Sequence, residues 1–288
     1  MDYAAGPPTT SAGVFLAAGR RESAAGVILG VPLDDTSSFR PGSRFAPQAV
    51  RLASHALEEY SIYRQRDLRD LPFFDAGDLL LPPGNTSASL STVADSVAFF
   101  LRQGQKPFLI GGEHTLSLGA LKGCLQLYPE ITVIYIDAHA DRRPAYQGVA
   151  YSHASAAYLL QQLAGVTLYQ FGVRSADREE MPSLQAGNVS FFSVAAPLEK
   201  ILPSLKGRYL YITLDIDVVD PAFAPGVSAP EPGGVTPGEL LKIFTFLEDF
   251  KERVIAFDLV EICPPYDQAQ ITALLGAKIM REALLTLL

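Results

Sequence analysis

Cysteine is scarce in this 288-residue chain: only Cys124 and Cys263 occur, and neither belongs to a paired metal-binding spacing. That excludes a disulfide framework or a thiolate zinc site. No secretory leader is recognisable, so both read as reduced thiols of a cytoplasmic protein. No apolar run reaches the roughly 18 residues that a membrane span requires. Internal repeats and low-complexity tracts are missing too, which sets aside solenoids and disordered chains. Positive charge is in deficit: the net charge of −8 argues against a nucleic-acid footprint and favours a cationic small molecule as partner. Histidine is rarest where it would be bland. Of four in the chain, His114, His139 and His153 fall in loops after apolar runs, and only His55 lies in a predicted helix.

What is present is a 48% hydrophobic composition with glycine and proline scattered through it, long enough for one large α/β domain. Residues 1–24, rich in small residues, Pro, Thr and Ser, are expected to form an arm, with the domain over 25–288. Apolar runs predict strands over 25–31, 73–76, 108–111, 131–137, 168–173, 189–192, 209–215 and 254–260. Helical spacing recurs over 46–59, 90–103, 116–127, 154–164, 179–185, 237–247 and 269–287. This alternation implies a three-layer α/β/α domain with a mostly parallel sheet of about eight strands. Residues 32–47 make a long polar loop, and long loops in compact domains are usually functional.

Ligands of parallel sheets bind beyond the carboxyl ends of the strands, and chemistry-bearing residues cluster there. Gly111-Gly112-Glu113-His114-Thr115 follows one run, Asp137-Ala138-His139-Ala140-Asp141 the next, Asp215-Ile216-Asp217 a third, and Glu261 closes Asp258-Leu259-Val260. In an extended strand end, side chains at i, i+2 and i+4 share a side, so Asp137, His139 and Asp141 are expected to converge. Unpaired buried carboxylates are costly, so something positive must sit among them. Four aspartates and two histidines offer more ligand atoms than one ion uses, which implies two. The oxygen-rich set suits Mn2+ better than structural Zn2+, with other divalent metals left open.

These loops resemble the motifs of the ureohydrolase (arginase/agmatinase) superfamily: GGEHT at 111–115, DAHAD at 137–141, DIDVVDPAFAPG at 215–226 and DLVEICPPYD at 258–267. Segments 38–54 and 57–68 look particularly like bacterial agmatinases, so the similarity spans nearly the whole chain after the arm. The resemblance implies one ion held by His114, Asp137, Asp141 and Asp215 and another by Asp137, His139, Asp215 and Asp217, with Asp137 and Asp215 bridging. It implies that Asp141 orients the attacking water and passes its proton to the leaving amine. Glu261 would pair with a guanidinium, and His153 of the Ser-His motif would lie near the substrate. Glu113 would support the ligands from behind. The implied activity is hydrolysis of a guanidino compound to urea and an amine, first of all agmatine to putrescine, in a cytoplasmic homotrimer or homohexamer that engages neither nucleic acid nor membrane.

Departures bear on substrate. Agmatinases commonly read Ser-His-Gly-Thr-Pro and Ala-Pro-Gly-Thr-Gly-Thr where this chain has Ser152-His153-Ala154-Ser155-Ala156 and Ala224-Pro225-Gly226-Val227-Ser228-Ala229. Guanidinobutyrate, guanidinopropionate, arginine and formiminoglutamate therefore stay open as substrates. A one-metal deacetylase of this fold would not need the full ligand set. A catalytically retired member would have no reason to retain Asp141, Asp215, Asp217 and Glu261 together.

Overall fold

The apolar runs become strands covered on both faces in a computed structural model, which describes residues 6–10, 13–19 and 24–288. In chain order the strands are β1 (Thr9–Thr10), β2 (Gly26–Val31), β3 (Tyr60–Ser61), β4 (Arg66–Asp67), β5 (Phe73–Leu79), β6 (Lys106–Gly111) and β7 (Ile131–Ile136). β8 (Val166–Val173), β9 (Asn188–Phe191), β10 (Tyr209–Asp215) and β11 (Val254–Val260) follow. Nine form one sheet in the order β1-β5-β2-β6-β11-β10-β7-β8-β9, while β3 and β4 pair as a small ribbon of their own. Every contact in the large sheet is parallel except β1 on β5, where Thr9 lies opposite Leu79.

The helices are α1 (Ala46–Ser54), α2 (Thr86–Arg102), α3 (Leu116–Leu125), α4 (Ala156–Gln161), α5 (Met181–Ala186), α6 (Ala195–Ile201), α7 (Pro237–Leu241), α8 (Ile243–Leu247) and α9 (Ile271–Leu287). Strand alternation divides the core between them. Ile134, Ile136, Ile212 and Leu214 face a layer that includes α1, α6 to α8 and α9, whereas Val133, Tyr135 and Tyr211 face α2, α3 and α4. α2 is capped by Asn85, whose side chain accepts from Ala88 N–H at 3.0 Å. It packs closely on α3 because Gly119 and Gly123 present no Cβ, which would fall 2.7 Å from Leu90 O and 2.5 Å from Ala94 O.

The expected parallel three-layer architecture is present. The ninth strand comes from the segment read as an arm, whose described residues include several bonded to the domain. Phe15 is buried and its N–H donates to Asp75 Oδ2 at 2.9 Å; Leu16 N–H donates to Ser54 Oγ at 3.0 Å. Residues 1–5, 11–12 and 20–23 of that arm lie outside the described residues. Asp75 also takes two hydrogen bonds from Arg51 of α1, at 2.7 and 2.9 Å, and Arg51 pairs with Asp78 as well. That fully buried cation ties α1 to β5 through charge-assisted bonds.

Chain order differs from sheet order at the centre. The chain passes from β6 to β7 across a gap that β10 and β11 later fill, so the carboxyl ends of β6, β11, β10 and β7 lie side by side. A reversal of winding leaves a crevice above those ends.

Candidate metal centre and substrate pocket

Each of the four central strands releases its polar residues into that crevice. β7 stops at Ile136, and residues 137–141 leave the sheet as a loop instead of continuing the strand. The convergence expected from simple alternation is thus reached by another route. His139 bridges to Ser175, Ala140 N–H donates to Ser175 O at 3.0 Å, and Asp141 turns back with φ +51°. Glu261, after β11, has φ +66°. Left-handed backbone is uncommon for residues with a Cβ, and it aims both carboxylates inward.

Backbone amides pin one oxygen of three carboxylates and leave the other for the crevice. Asp137 Oδ1 accepts from His139 N–H at 2.5 Å, Asp215 Oδ1 from Asp217 N–H at 2.8 Å, and Asp217 Oδ1 from Ala138 N–H at 3.1 Å. The remaining oxygens meet the imidazoles. His114 Nδ1 lies 2.9 Å from Asp137 Oδ2, 3.3 Å from Asp215 Oδ2 and 3.8 Å from Asp141 Oδ2, and His139 Nδ1 lies 2.8 Å from Asp217 Oδ2. His114, Asp137 and Asp141 form one group able to hold a metal ion; Asp137, His139 and Asp217 form a second. Asp137 belongs to both. Its Oδ2 is buried with no hydrogen bond of acceptable geometry, and an orphaned carboxylate oxygen facing imidazole nitrogens is the arrangement that a shared cation completes.

The tautomer of His114 follows from what lies beneath it. Tyr135, Thr213 and Asp258 occupy one row across β7, β10 and β11, since Thr213 is in register with both neighbours. Thr213 donates to Asp258 Oδ1 at 2.6 Å, so at 2.8 Å from His114 Nε2 it must accept. Nε2 therefore keeps its proton, and Nδ1, which faces the carboxylates, is the nitrogen that would lose its proton to ligate a cation. Ser117 and Tyr211 also donate to Asp258. Tyr135 stacks on the imidazole, with ring centroids 4.3 Å apart, and donates to Asp141 Oδ2 at 2.6 Å.

The electrostatics record a surplus of negative charge. Burial opposes charging of His114 and His139, but Asp137 and Asp215 outweigh it at the first, and Asp217 and Asp137 at the second, so both pKa values stand well above the ordinary imidazole value. Asp141 and Asp215 are pushed well above the usual carboxylate range, by burial first and then by their neighbouring carboxylates. Burial raises Glu261 to about 8, although His114 N–H donates to its Oε1 at 2.8 Å. Carboxylates this crowded take up protons or cations.

Above this floor the cavity measures about 290 Å³, and its lining includes six carboxylates (Asp141, Asp177, Glu180, Asp215, Asp217 and Glu261) against one guanidinium, that of Arg143. Arg143 is engaged already: it reaches Asp177 at 3.5 Å and Glu180 at 3.8 Å and lies over the Tyr146 ring at 5.0 Å. His153, half-buried, lines the same cavity, as do Ala154, Ser228 and Ala229 from the two departing segments. Every residue singled out in the sequence for the site is thus in or directly beneath one cavity, while His55 lies apart, bonding the Val14 carbonyl.

Sequence reasoning missed Thr36, Tyr135, Arg143, Asp177, Glu180, Thr213 and Asp258. Three carried a signal. Tyr135 and Thr213 precede Asp137 and Asp215 by two residues and so share their face, and Asp258 is a lone acid inside a run buried throughout. The others arrive on loops with no periodicity.

Comparison with known proteins places this geometry. The Arginase family model matches residues 24–286. An agmatinase of Halalkalibacterium halodurans is 43% identical over 267 residues, 92% of each chain, and an agmatinase of Bacillus subtilis matches to the same extent. A crystal structure of a putative agmatinase from Clostridium difficile superposes with a TM-score of 0.86 at 33% identity, covering 93% of this chain and 98% of that one.

Proposed function

The chain belongs to the Arginase family, and on that premise we propose that it hydrolyses agmatine to putrescine and urea with two Mn2+ ions. The observation that carries this is the convergence of His114, Asp137 and Asp141, and of Asp137, His139 and Asp217, into two candidate cation groups that have Asp137 in common, beneath a cavity whose lining includes six carboxylates and one guanidinium. In our reading His114, Asp137, Asp141 and Asp215 would hold one ion and Asp137, His139, Asp215 and Asp217 the other, with Asp137 and Asp215 serving both. When bound, the ions would supply a water acidified enough to attack at neutral pH.

The chain's own groups do the rest. Glu261 pairs with the guanidinium and sets its carbon over the floor, a charge-assisted contact that positions as well as binds. The water oxygen bonds to that carbon, and Asp141 takes the water's proton. As the bond from carbon to the alkyl-bearing nitrogen breaks, Asp141 delivers the proton there, and the proton left on the carbon-bound oxygen passes to the departing amine, which leaves as an ammonium together with neutral urea. Tyr135 steadies Asp141 throughout. His153 contacts the substrate from the side. A substrate cationic at both ends suits a cavity lined by six carboxylates: Glu261 is assigned to the guanidinium, and Asp177, 49% exposed, to the far ammonium. Among the described residues, the one guanidinium that lines the cavity, that of Arg143, is already engaged by Asp177 and Glu180 and so offers no clamp for a substrate carboxylate.

Product release from agmatine, guanidinobutyrate, guanidinopropionate, arginine and formiminoglutamate, measured side by side with metal analysis, tests the reading. Agmatine should lead with two ions per chain. Preference for a carboxylate-bearing compound overturns the substrate, one ion per chain overturns the mechanism, and no turnover by the fully loaded protein marks a retired family member. No described helix is long and apolar enough to cross a membrane. We place the enzyme in the cytoplasm as a domain over 25–288 with an N-terminal arm, assembled as a homotrimer or homohexamer; a stable monomer in sedimentation contradicts that assembly.

A further inference from the structure

Thr36 sits in the long loop between β2 and α1, and with Glu113 as a carboxylate its hydrogen bonds permit a single arrangement of protons. Its backbone N–H donates to Glu113 Oε2 at 2.6 Å and its hydroxyl to Glu113 Oε1 at 3.0 Å. The backbone N–H of His153 donates to that same hydroxyl oxygen at 3.1 Å, and His153 Nδ1 also lies 3.1 Å from it. A hydroxyl has one proton to give and two lone pairs to receive with. Burial pushes the Glu113 pKa up while the Thr36 N–H and hydroxyl pull it back down, and as a carboxylate Glu113 accepts from Thr36 on both oxygens, so the hydroxyl proton is committed to it. The Thr36 oxygen must then accept from both His153 groups, and the ring must supply a proton from Nδ1.

We propose that Thr36, anchored by Glu113, is a positioning residue that holds His153 in the tautomer with its proton on Nδ1 and its Nε2 lone pair available to the substrate. Nε2 lies 3.5 Å from Ser38 Oγ, and both residues line the cavity. The ring is also held edge-on to Tyr146, with centroids 5.7 Å apart. Burial, followed by the neighbouring His139, pushes the imidazole pKa down to about 4, so the ring is neutral around pH 7. A guanidinium presents only N–H donors, and an imidazole offering a lone pair accepts from them where the other tautomer would set donor against donor. Three segments distant in sequence, the 32–47 loop, the turn after β6 and the Ser152-His153 segment, are thereby locked into one tautomer.

The role in turnover rests on the hydrolase reading; the tautomer does not, and the two are measured separately. In protein loaded with diamagnetic Mg2+ and labelled with 15N-histidine, the His153 signal, assigned by its loss in His153→Asn, should show a protonated Nδ1 and a bare Nε2. A ring protonated on Nε2 overturns the proposal whatever the substrate proves to be. In the Mn2+-loaded enzyme, Thr36→Val should lower kcat with agmatine by about 10- to 100-fold, the effect of one lost buried hydrogen bond, with two ions per chain retained. Thr36→Ser, which keeps the hydroxyl, should return kcat to within about threefold of the unmutated enzyme. Equal loss in both variants, no loss in Thr36→Val, or loss of metal from Thr36→Val overturns it. If the unmutated enzyme turns over no guanidino compound, the functional reading fails and the 15N result still decides the tautomer.

Discussion

On the floor of the pocket Asp137, Asp215 and Asp217 each have one carboxylate oxygen held by a backbone N–H within 3.1 Å, and all three are buried. On the rim, Arg143 and Asp177 have side chains 33% and 49% exposed and meet at 3.5 Å. The floor is built by residues that end adjacent strands, so the sheet sets their positions before any ligand arrives. Arg143 and Asp177 reach the rim from loops, where water screens their contact. Preorganisation costs little where backbone does the holding, which is where charge must be placed for chemistry. The rim is left free to choose substrates.

The largest effect should come from the floor. Asp137→Asn replaces the carboxylate common to both candidate cation groups by a neutral amide and should lower metal content together with urea release, by about 10³-fold or more; full metal occupancy in this variant, read by elemental analysis, contradicts a role for Asp137 at both positions. Next comes Glu261→Gln, which should keep both ions yet cost about 10²- to 10³-fold in kcat/KM, as when one preorganised charge partner is removed. Unchanged urea release at full metal content refutes the placement of the guanidinium.

The floor's crowding predicts a pH dependence in the metal-free protein. Burial lifts Glu261 from an ordinary value of 4.5 to about 8. A carboxyl raised in the folded state contributes stability that is fully present below its unfolded pKa and is lost as pH rises through the folded one. Asp141, Asp215, His114 and His139 are raised too and act with the same sign, while Asp137, which is lowered, acts oppositely and at more acid pH. The EDTA-treated protein should therefore lose stability between pH 4.5 and about 8, and metal should restore it at the upper end. Urea denaturation midpoints that stay level across that window would argue against a charge surplus at the floor.

The smallest effect belongs to the rim. Asp177→Asn should raise KM for agmatine by about fivefold or less, with kcat nearly unchanged, because an exposed charge is worth at most about 1 kcal/mol. A fall in kcat comparable to that of Glu261→Gln would erase the distinction between floor and rim.

Element by element, the strands were the most legible part of the chain: a buried parallel strand is a short apolar run, and β2, β7 and β11 are buried at every position. Helix limits were read less well. The helix expected over 46–59 stops at Ser54, the one expected over 237–247 divides into α7 and α8, and α6 was not foreseen, because short helices take their ends from local contacts that apolar spacing does not encode. β1 was invisible for a related reason. Two threonines carry no strand pattern, and only the free edge of β5 makes them one.

The sequence by itself determined the layered parallel fold and the floor of the site, because a polar residue that ends an apolar run in a parallel sheet has only the crevice beyond the strand to enter. Tertiary structure alone decided which strand ends are neighbours, since β6 and β7 are consecutive in the chain but separated in the sheet by β11 and β10. It also decided the partners of Asp137 Oδ2, the proton positions on His114 and His153, and the rim. Hydrogen-bond direction depends on which groups from distant segments share an oxygen, as Thr36, Glu113 and His153 do, and spacing along the chain holds no record of that.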